Sequence, residues 1–519
     1  MRFMSLFFLS CACASAGATS HYKFSNPPGM YSVGLQVVQQ YDYTRSSRPA
    51  IDLDTGAVRK GELARPIQTL VWYPAKSGGT SVTYGDYLRA AATQSDFSLS
   101  EAQVTRAAQA KLEQNGKGLS PAQRQAEAAS PMLARRDAVP IVGKFPLVIY
   151  APGANGAAHE NAELCEYLAS QGYVVMASAS VGSWGGEMEP SLEGAEAQAA
   201  DIAFLIGYAH GLPTVDLGRI AVAGFSWGGL TNLLAAAKDQ RIRALVALDG
   251  SMRGYPELIN SGKDAAKYVT PARVAVPLLY LSARPKTIEE MEGKYDMSFS
   301  FINAMKYSDV YYFTLHPMVH THFSTNSLRL SGDAEFSEYS RKEVMLAHSW
   351  GSRYVLEFLN AYLKRDNEGR TFLGTRPIRN GVPAHMITAD TRLARSSVPS
   401  LEAFSVALHA KGFDQAIPLY QAGKRAGEPL AVSEQELNRW GYRLLQSGRL
   451  KEGLEVIKLM ADIYPDSANA HDSLGEAFAT NKETANAILH YQRSLLLNPK
   501  NTNAVEALKM LESASSATH

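Results

Sequence analysis

The feature that most constrains this chain is the sequence Gly224-Phe-Ser226-Trp-Gly228, which directly follows the apolar run 220–223. Residues 230–238 after it have helical character, so the pattern predicts a strand, a tight turn and a helix. Small residues at 224, 228 and 229 allow this turn, which raises the Ser226 hydroxyl at the tip of a sheet. A serine attacks a carbonyl when it is exposed, next to a base and near donors for an oxyanion. The spacing therefore predicts that Ser226 is a nucleophile.

Two other Ser-Trp-Gly sequences lack this context. Ser183 lacks the first glycine in register, and Ser349 follows the helical run 342–346 with no plausible histidine after it. We expect Ser183 to lie in a loop and Ser349 in a helix.

The composition predicts a globular protein of two or three domains. The chain has 519 residues, of which 46% are hydrophobic, and this suffices for a large core. Its net charge of +1 is spread without basic blocks, which argues against a nucleic-acid partner. Beyond the N-terminus, no stretch reaches the roughly 18 apolar residues of a membrane span. We expect a soluble protein with no nucleic-acid partner and no transmembrane span.

Residues 1–16 have the pattern of a secretory signal peptide. One arginine precedes an apolar run too short to span a bilayer, and Ala14-Ser-Ala16 matches an A-x-A cleavage site. The pattern predicts a secreted or periplasmic protein. A buried N-terminal segment is one alternative, and lipid attachment at Cys11 is another. Cleavage after Ala16 would leave Cys165 as the only cysteine, and therefore no internal disulfide.

Residues 30–365 have the alternation of strands and helices that is typical of an α/β domain. Two strands, 33–38 and 68–73, are expected to form an antiparallel sheet edge. Further apolar strands are expected at 145–150, 173–179, 219–223, 243–248, 276–281 and 310–315. Such runs separated by helices predict a doubly wound, mostly parallel sheet with its active site at the C-terminal ends of the strands.

A helical insertion is predicted at residues 84–136, where Ala, Gln, Glu and Arg dominate. Helix-start signals occur at Ser100 and Ser120. The insertion could form a lid over the active site or a solvated bundle packed on the sheet edge, and both interpretations stay open.

The C-terminal part is predicted to be a linker followed by helical repeats. Residues 366–398 show little periodicity and are interpreted as the linker. Residues 399–515 are helical throughout, and Gly441 and Gly475 are equivalent at an offset of 34 residues. This period resembles tetratricopeptide repeats, which predicts an all-α domain. Its concave face could bind a peptide or protein partner, or the repeats could only dock on the α/β domain.

A serine nucleophile needs an imidazole base and a carboxylate that fixes the tautomer of that imidazole. Asp249 directly follows the strand 244–248, where its side chain would face the site. The more usual position, after the strand 278–281, has no carboxylate before Glu289. Asp249 is therefore the predicted acid, and a strand-end turn cap is its alternative role.

Three histidines follow the strand 310–315 and compete for the role of base. They are His316, His320 and His322, and their spacing also resembles a metal-ligand pattern. No Asp, Glu or Cys follows nearby, so no metal or other cofactor is predicted. His320 is the predicted base because the chain needs a few residues to turn back towards Ser226. His322 is the reserve, with lining of the substrate pocket as its alternative role.

The oxyanion hole is predicted from two backbone N–H groups, those of Ala154 and Trp227. Ala154 follows Gly153 in the loop after the strand 145–150, and Trp227 follows the nucleophile. Asn155 is close enough in sequence to contribute to the substrate pocket. A nucleotide-binding turn is the alternative for this loop, but the G-x-G-x-x-G spacing is missing.

Residues of about 65–365 resemble the α/β-hydrolase superfamily, and within it the group of dienelactone-hydrolase-like and platelet-activating-factor-acetylhydrolase-like proteins. The resemblance lies in an acid directly after the strand that follows the nucleophile helix, and in the base context Val-His-x-x-Phe at 319–323. It implies that Ser226, Asp249 and His320 form a catalytic triad. The chain has Pro-Gly at 152–153 where the acetylhydrolases usually have His-Gly, and serine where dienelactone hydrolases have cysteine.

Together these features predict an exported serine hydrolase that cleaves carboxylic esters through an acyl-enzyme. The expected substrate is a small-molecule or lipid-like ester. Peptide or amide cleavage by the same triad is an alternative. A catalytically inactive hydrolase scaffold that serves as a repeat-domain adaptor is a third, but such a scaffold would need none of the catalytic residues.

Overall fold

The computed structural model describes residues 19–516, except residues 254, 256–257, 259–264, 266–267, 286–300, 337, 397 and 429. The predicted signal peptide therefore lies outside the described residues. The chain divides into two compact units, Met1–Ser396 and Ser397–His519. No helix in the described ranges is long and apolar enough to cross a membrane.

The first unit is built on one sheet, which has eleven strands in the described part of the chain. They are β1 Ser32–Ser46, β2 Ala64–Ala75, β3 Thr80–Thr83, β4 Pro131–Arg136, β5 Phe145–Ala151, β6 Val174–Ser178, β7 Val215–Phe225, β8 Ile242–Leu248, β9 Leu278–Ala283, β10 Val310–Leu315 and β11 Ile387–Arg392. Their order across the sheet is β11-β10-β9-β8-β7-β5-β6-β2-β1-β4-β3.

The centre of the sheet is parallel, as the sequence predicts. The six strands β5 to β10 pair only in parallel with one another, so their C-terminal ends share one edge. Their apolar runs are buried because helices cover both faces of the sheet.

Within the described residues, the α-helices of this unit are α1 Tyr84–Ala92, α2 Glu101–Asn115, α3 Pro121–Ala128, α4 Ala162–Ser170, α5 Leu192–Ala209, α6 Trp227–Lys238, α7 Phe301–Ala304, α8 Thr325–Leu330, α9 Arg341–Leu363 and α10 Asn367–Gly374. Helices α4 and α9 contribute to the core on one face, and α5 and α6 to the core on the other. The architecture is that of a doubly wound α/β domain.

The predicted antiparallel edge is not the outermost part of the sheet. β1 and β2 do pair antiparallel, and β2 pairs antiparallel with β6. However, β4 pairs parallel with β1, and β3 adds the last strand. The prediction of a helical insertion over 84–136 is thus correct for α1 to α3 and wrong for residues 131–136, which pair with the sheet instead.

A buried charge cluster ties the helical insertion to the α/β core. Arg329 in α8 is 3% exposed and bonds the carboxylates of Glu127 in α3, at 2.8 Å, and Glu163 in α4, at 2.5 Å. Ser20 and His21 in the N-terminal segment donate to the same Glu127 carboxylate. Moving the insertion would break the buried Arg329–Glu127 pair, and separating the partners of such a pair costs about 3–5 kcal/mol. The cluster favours a packed bundle over a lid.

The segment predicted as a linker belongs largely to the first unit, which corrects the predicted domain end near residue 365. Residues 367–374 form α10, and β11 pairs antiparallel with β10 along its whole length. Four of the six residues of β11 are exposed. The strand therefore lacks the apolar alternation by which sequence patterns reveal strands.

The second unit is helical, as predicted. Its helices are α11 Leu401–Lys411, α12 Ala416–Arg425, α13 Glu434–Gln446, α14 Leu450–Ile463, α15 Ala468–Thr480, α16 Thr484–Leu497 and α17 Thr502–Ser516. They share one apolar core. Gly441 and Gly475 hold equivalent positions, since a Cβ on either would lie within 3 Å of a side chain of the following helix.

Candidate active site

Ser226 lies in a strained turn between β7 and α6. Its backbone φ is 51° and ψ is −115°, a conformation that a non-glycine residue rarely adopts. The turn is closed so tightly that a Cβ on Gly228 would lie 2.0 Å from the carbonyl oxygen of Ala151. A Cβ on Gly224 would likewise lie 2.4 Å from the Gly228 carbonyl carbon. Glycine at both positions lets the backbone present the Ser226 side chain at the C-terminal edge of the sheet.

Of the three candidate histidines, His320 is the one that lies within hydrogen-bond distance of Ser226. It opens the 3₁₀-helix His320–Phe323, five residues after β10 ends. Its Nε2 lies 2.9 Å from the Ser226 Oγ, and its ring packs against Phe225 at a centroid distance of 4.9 Å. The side chain is 45% exposed. The structure thus brings together the predicted nucleophile and the predicted base.

Asp249 lies directly after β8 and completes the arrangement. Its Oδ2 is 2.7 Å from the Nδ1 of His320, and its Oδ1 accepts the backbone N–H of Ala283 at 2.9 Å. Like Ser226, Asp249 has a positive φ, here 44°. The alternative acid, Glu289, lies outside the described residues.

These contacts assign the protonation of the imidazole. A carboxylate only accepts hydrogen bonds, so the nitrogen that faces Asp249 carries the proton. The lone pair of the other nitrogen then faces the Ser226 hydroxyl. This is the arrangement in which an imidazole removes a proton from a serine.

The loop after β5 carries Ala154, and Trp227 begins α6; these residues have the two backbone N–H groups predicted for the oxyanion hole. A Cβ on Gly153 would lie 3.4 Å from the Ser226 Cβ, so the loop runs directly beside the nucleophile. In the described part of the chain, the N–H groups of Ala154 and Trp227 have no hydrogen-bond partner outside their own helix or strand. Asn155 has a φ of 62° and accepts the N–H of Met188 through its Oδ1 at 2.6 Å. Two free donors therefore remain near the nucleophile.

The other two histidines of the cluster have different partners. His322 is 5% exposed, stacks on Phe336, and accepts the N–H of Val319 through its Nδ1. Burial, together with the nearby Arg284, lowers the pKa of His322 to about 4. These contacts stabilise the loop that carries His320, and the pocket-lining role of His322 stays a prediction. The Nε2 of His316 contacts Thr388. Among the described residues, no group of His, Cys, Asp or Glu could hold a metal ion.

The two remaining Ser-Trp-Gly serines are placed as predicted. Ser183 lies in the loop between β6 and α5 and donates to Glu193. Ser349 lies inside α9, where its hydroxyl donates to the carbonyl of Met345.

One buried carboxyl beside the site was not found from the sequence. Glu160 lies in sequence between α4 and the loop 151–156 after β5, here called the oxyanion loop. It is 8% exposed and accepts the N–H of Gly153 through its Oε2 at 2.9 Å. Burial raises the pKa of Glu160 to about 7, although hydrogen bonds from Gly153 and Tyr150 oppose the rise. The signal that could have revealed it is the polar run His-Glu-Asn at 159–161, which interrupts an otherwise small and apolar segment after the glycine loop.

The chain is similar to a known protein family and to a protein of known structure. The chain is similar to a ferulic acid esterase from Streptomyces cinnamoneus of known structure, with 18% identity, a TM-score of 0.46, and coverage of 70% of this chain and 98% of that one. Comparison with curated proteins gives no match. The model of the family described as X-Pro dipeptidyl-peptidase (S15 family) matches residues 67–375, more than half of the chain. The chain therefore belongs to the S15 family and is a serine hydrolase of the α/β-hydrolase superfamily.

Proposed function

We propose that the protein is an exported serine hydrolase that cleaves carboxylic esters by way of an acyl-enzyme. Ser226 is the nucleophile, His320 the base and Asp249 the acid. The observation that carries the proposal is the pair of hydrogen bonds from the Ser226 hydroxyl through the His320 imidazole to the Asp249 carboxylate. Three residues from separate turns and loops are thus hydrogen-bonded in the order nucleophile, base and acid, which nucleophilic catalysis by serine requires.

In the first half of the reaction, the Nε2 of His320 takes the proton of the Ser226 hydroxyl while the oxygen attacks the substrate carbonyl. The carbonyl oxygen becomes an oxyanion that accepts the N–H groups of Ala154 and Trp227. The intermediate then collapses, and the proton on His320 passes to the leaving oxygen. An alcohol departs, and the acyl group stays on Ser226.

In the second half, water attacks the acyl carbon and gives its proton to His320. The new oxyanion occupies the same two donors, and its collapse returns the proton to the Ser226 oxygen. The carboxylic acid departs and the enzyme is restored. Asp249 stays ionised throughout and stabilises the imidazolium that forms twice in each cycle.

Peptide cleavage is the second candidate, and the family description favours it. The same residues would act, but the proton on His320 would pass to an amine nitrogen. The adaptor alternative is disfavoured because an inactive scaffold would not need a strained Ser226 hydrogen-bonded to His320.

The test is labelling with a fluorophosphonate, followed by a substrate panel. We expect the probe to label the wild-type protein and not the Ser226→Ala variant. The panel compares p-nitrophenyl esters of graded acyl length with Xaa-Pro p-nitroanilides. Turnover of the esters without turnover of the anilides supports the ester hydrolase. Turnover of the anilides selects the peptidase, because a serine peptidase also cleaves activated p-nitrophenyl esters. Equal labelling of wild type and variant would refute Ser226 as nucleophile.

We also propose that residues 399–515 are tetratricopeptide-like repeats that offer a concave face to a peptide or protein partner. Support comes from the equivalent packing of Gly441 and Gly475 at an offset of 34 residues. Export is proposed from residues 1–16 alone. N-terminal sequencing of protein recovered outside the cytoplasm should then begin at Gly17.

A further inference from the structure

We propose that Glu160 is a positioning residue. It holds the oxyanion loop beside Ser226, and it fixes the distance between the oxyanion loop and the loop that carries His320. This inference rests on the proposed function, because it concerns how the groups of that active site are held in position relative to one another. Glu160 itself touches neither the serine nor the predicted substrate position. Its effect passes through the backbone of the two loops.

The side chain of Glu160 constrains the oxyanion loop. Its Oε2 accepts two donors, the N–H of Gly153 at 2.9 Å and the hydroxyl of Tyr150 at 3.0 Å. Tyr150 is part of β5, so the carboxyl ties the loop to a buried strand of the sheet. Because the N–H of Gly153 is used in this way, the next N–H, that of Ala154, is the one left for an oxyanion.

The backbone of Glu160 constrains the other loop. Its carbonyl oxygen accepts the N–H of Asn326 at 3.0 Å and the hydroxyl of Thr325 at 3.1 Å. Both residues belong to α8, which begins five residues after His320. A single residue thus bonds the oxyanion loop through its side chain and the segment after the base through its main chain.

The neighbouring Asn161 strengthens the same connection. Its Nδ2 donates to the Tyr150 hydroxyl and, at 2.9 Å, to the carbonyl of Phe323. Its Oδ1 accepts the N–H of Thr325 at 2.8 Å. Asn161 is fully buried, so each of these groups would lose its partner without access to water if the connection broke.

Burial makes the carboxyl of Glu160 costly to keep, which indicates that it does more than fill space. A buried carboxyl is disfavoured unless its hydrogen bonds repay the loss of water. The charged form is opposed by burial and favoured by its two donors and by the nearby His320, and the pKa of Glu160 is raised to about 7. An apolar residue of similar volume would avoid this cost but could not hold Gly153.

The chain offers a matched control in Glu166, which lies six residues later in the sequence, in α4. Its carboxyl is also buried, at 1% exposure, and also accepts one tyrosine hydroxyl, that of Tyr87, and one backbone N–H, that of Leu133. Burial raises the pKa of Glu166 to about 7 as well. The two sites differ in that only the partners of Glu160 adjoin the nucleophile.

The experiment compares Glu160→Leu and Glu166→Leu in the full-length protein, with p-nitrophenyl acetate as substrate and Tm as the measure of stability. We expect Glu160→Leu to lower kcat by about tenfold to a hundredfold with KM within about twofold, because a displaced oxyanion donor weakens binding of the transition state alone. Both leucine variants should lower Tm by similar amounts, but Glu166→Leu should leave kcat unchanged. Glu160→Gln keeps an acceptor oxygen and should restore most of the kcat.

Equal loss of kcat in Glu160→Leu and Glu166→Leu, or no loss in Glu160→Leu, would overturn the inference. If Glu160→Leu does not fold, Glu160→Asp is the replacement test, because it keeps the carboxyl but withdraws it from Gly153 by one methylene. An unchanged kcat in Glu160→Asp would equally overturn the inference. Hydrolysis that survives Ser226→Ala would instead refute the proposed function, whatever the Glu160 variants do.

Discussion

Replacement of Asp249 by asparagine should inactivate the enzyme, because it favours the tautomer of His320 that cannot accept the serine proton. The Oδ1 of Asp249 accepts the N–H of Ala283 at 2.9 Å, and Oδ2 faces the Nδ1 of His320 at 2.7 Å. In Asp249→Asn, the amide oxygen must stay next to Ala283, because an amide NH₂ in its place would face the N–H of Ala283, which is also a donor. The amide NH₂ then faces Nδ1, which can pair with it only as an acceptor.

The proton of His320 would therefore move to Nε2, the nitrogen that lies 2.9 Å from Ser226 Oγ. Such a nitrogen cannot take the serine proton. The same change of tautomer in other serine hydrolases costs about 10⁴-fold in kcat, or about 5 kcal/mol of transition-state stabilisation. We expect a loss of this order in Asp249→Asn, with little change in Tm.

The assay is the steady-state hydrolysis of p-nitrophenyl acetate together with the rate of fluorophosphonate labelling, both at one pH. Asp216→Asn is the control, because Asp216 lies at the opposite end of β7, where it pairs with Arg219 at the surface. It should keep the wild-type kcat. A kcat for Asp249→Asn within tenfold of wild type would refute the reasoning, and greater damage from Glu289→Gln would move the acid to the later strand.

Four further outcomes are expected. His320→Ala should abolish ester hydrolysis, and EDTA should leave the wild type unaffected; a loss that zinc restores would contradict this. Arg329→Met should lower the free energy of unfolding of the first unit by about 3–5 kcal/mol in urea denaturation, since it leaves two buried carboxylates without their cation. A decrease below about 1 kcal/mol would contradict this prediction. Burial lowers the pKa values of His159 and His348 to about 4, below the 6.5 of the unfolded chain. At these two histidines the unfolded state therefore binds more protons between pH values of about 4 and 6.5, and each histidine should lower the stability by about 1.4 kcal/mol per pH unit as the pH falls through this window. The raised pKa values of Glu160 and Glu166 act in the opposite direction but are the same in wild type and variant, so the slope of His159→Gln or His348→Gln should differ from that of the wild type by this amount; an unchanged slope would contradict it. Truncation after Ser396 should preserve turnover, because the site and its core lie in the first unit; poor labelling of a folded truncated protein would contradict the separation.

The central strands and the site residues could be predicted from the sequence for a common physical reason. Strands buried on both faces are near-continuous apolar runs, which are visible without any knowledge of their neighbours. Ser226 and Asp249 follow such strands directly, so their placement depends on short stretches of chain. His320 is harder to identify, because three histidines follow β10 and only the length of chain needed to turn back towards Ser226 distinguishes them.

The features that escaped prediction depend on contacts distant in sequence. β11 is mostly exposed and is defined by its pairing with β10, more than 70 residues earlier. Residues 131–136 are exposed at both ends and pair with β1, about 100 residues earlier in the sequence. Glu160 bonds residues both seven positions earlier and more than 160 positions later. No local pattern encodes such partners, because any buried polar group needs some partner and the sequence does not say which.

The hydrogen bonds of Ser20 and His21 to Glu127 make the buried charge cluster depend on the segment that precedes β1. Glu127 lies in the helical insertion, so this segment and Arg329 in α8 hold the same carboxylate from two parts of the chain. Without Ser20 and His21, the Glu127 carboxylate would stay buried and lose two of its donors. The first described residues of the chain therefore contribute to the stability of an insertion that begins more than 60 residues later.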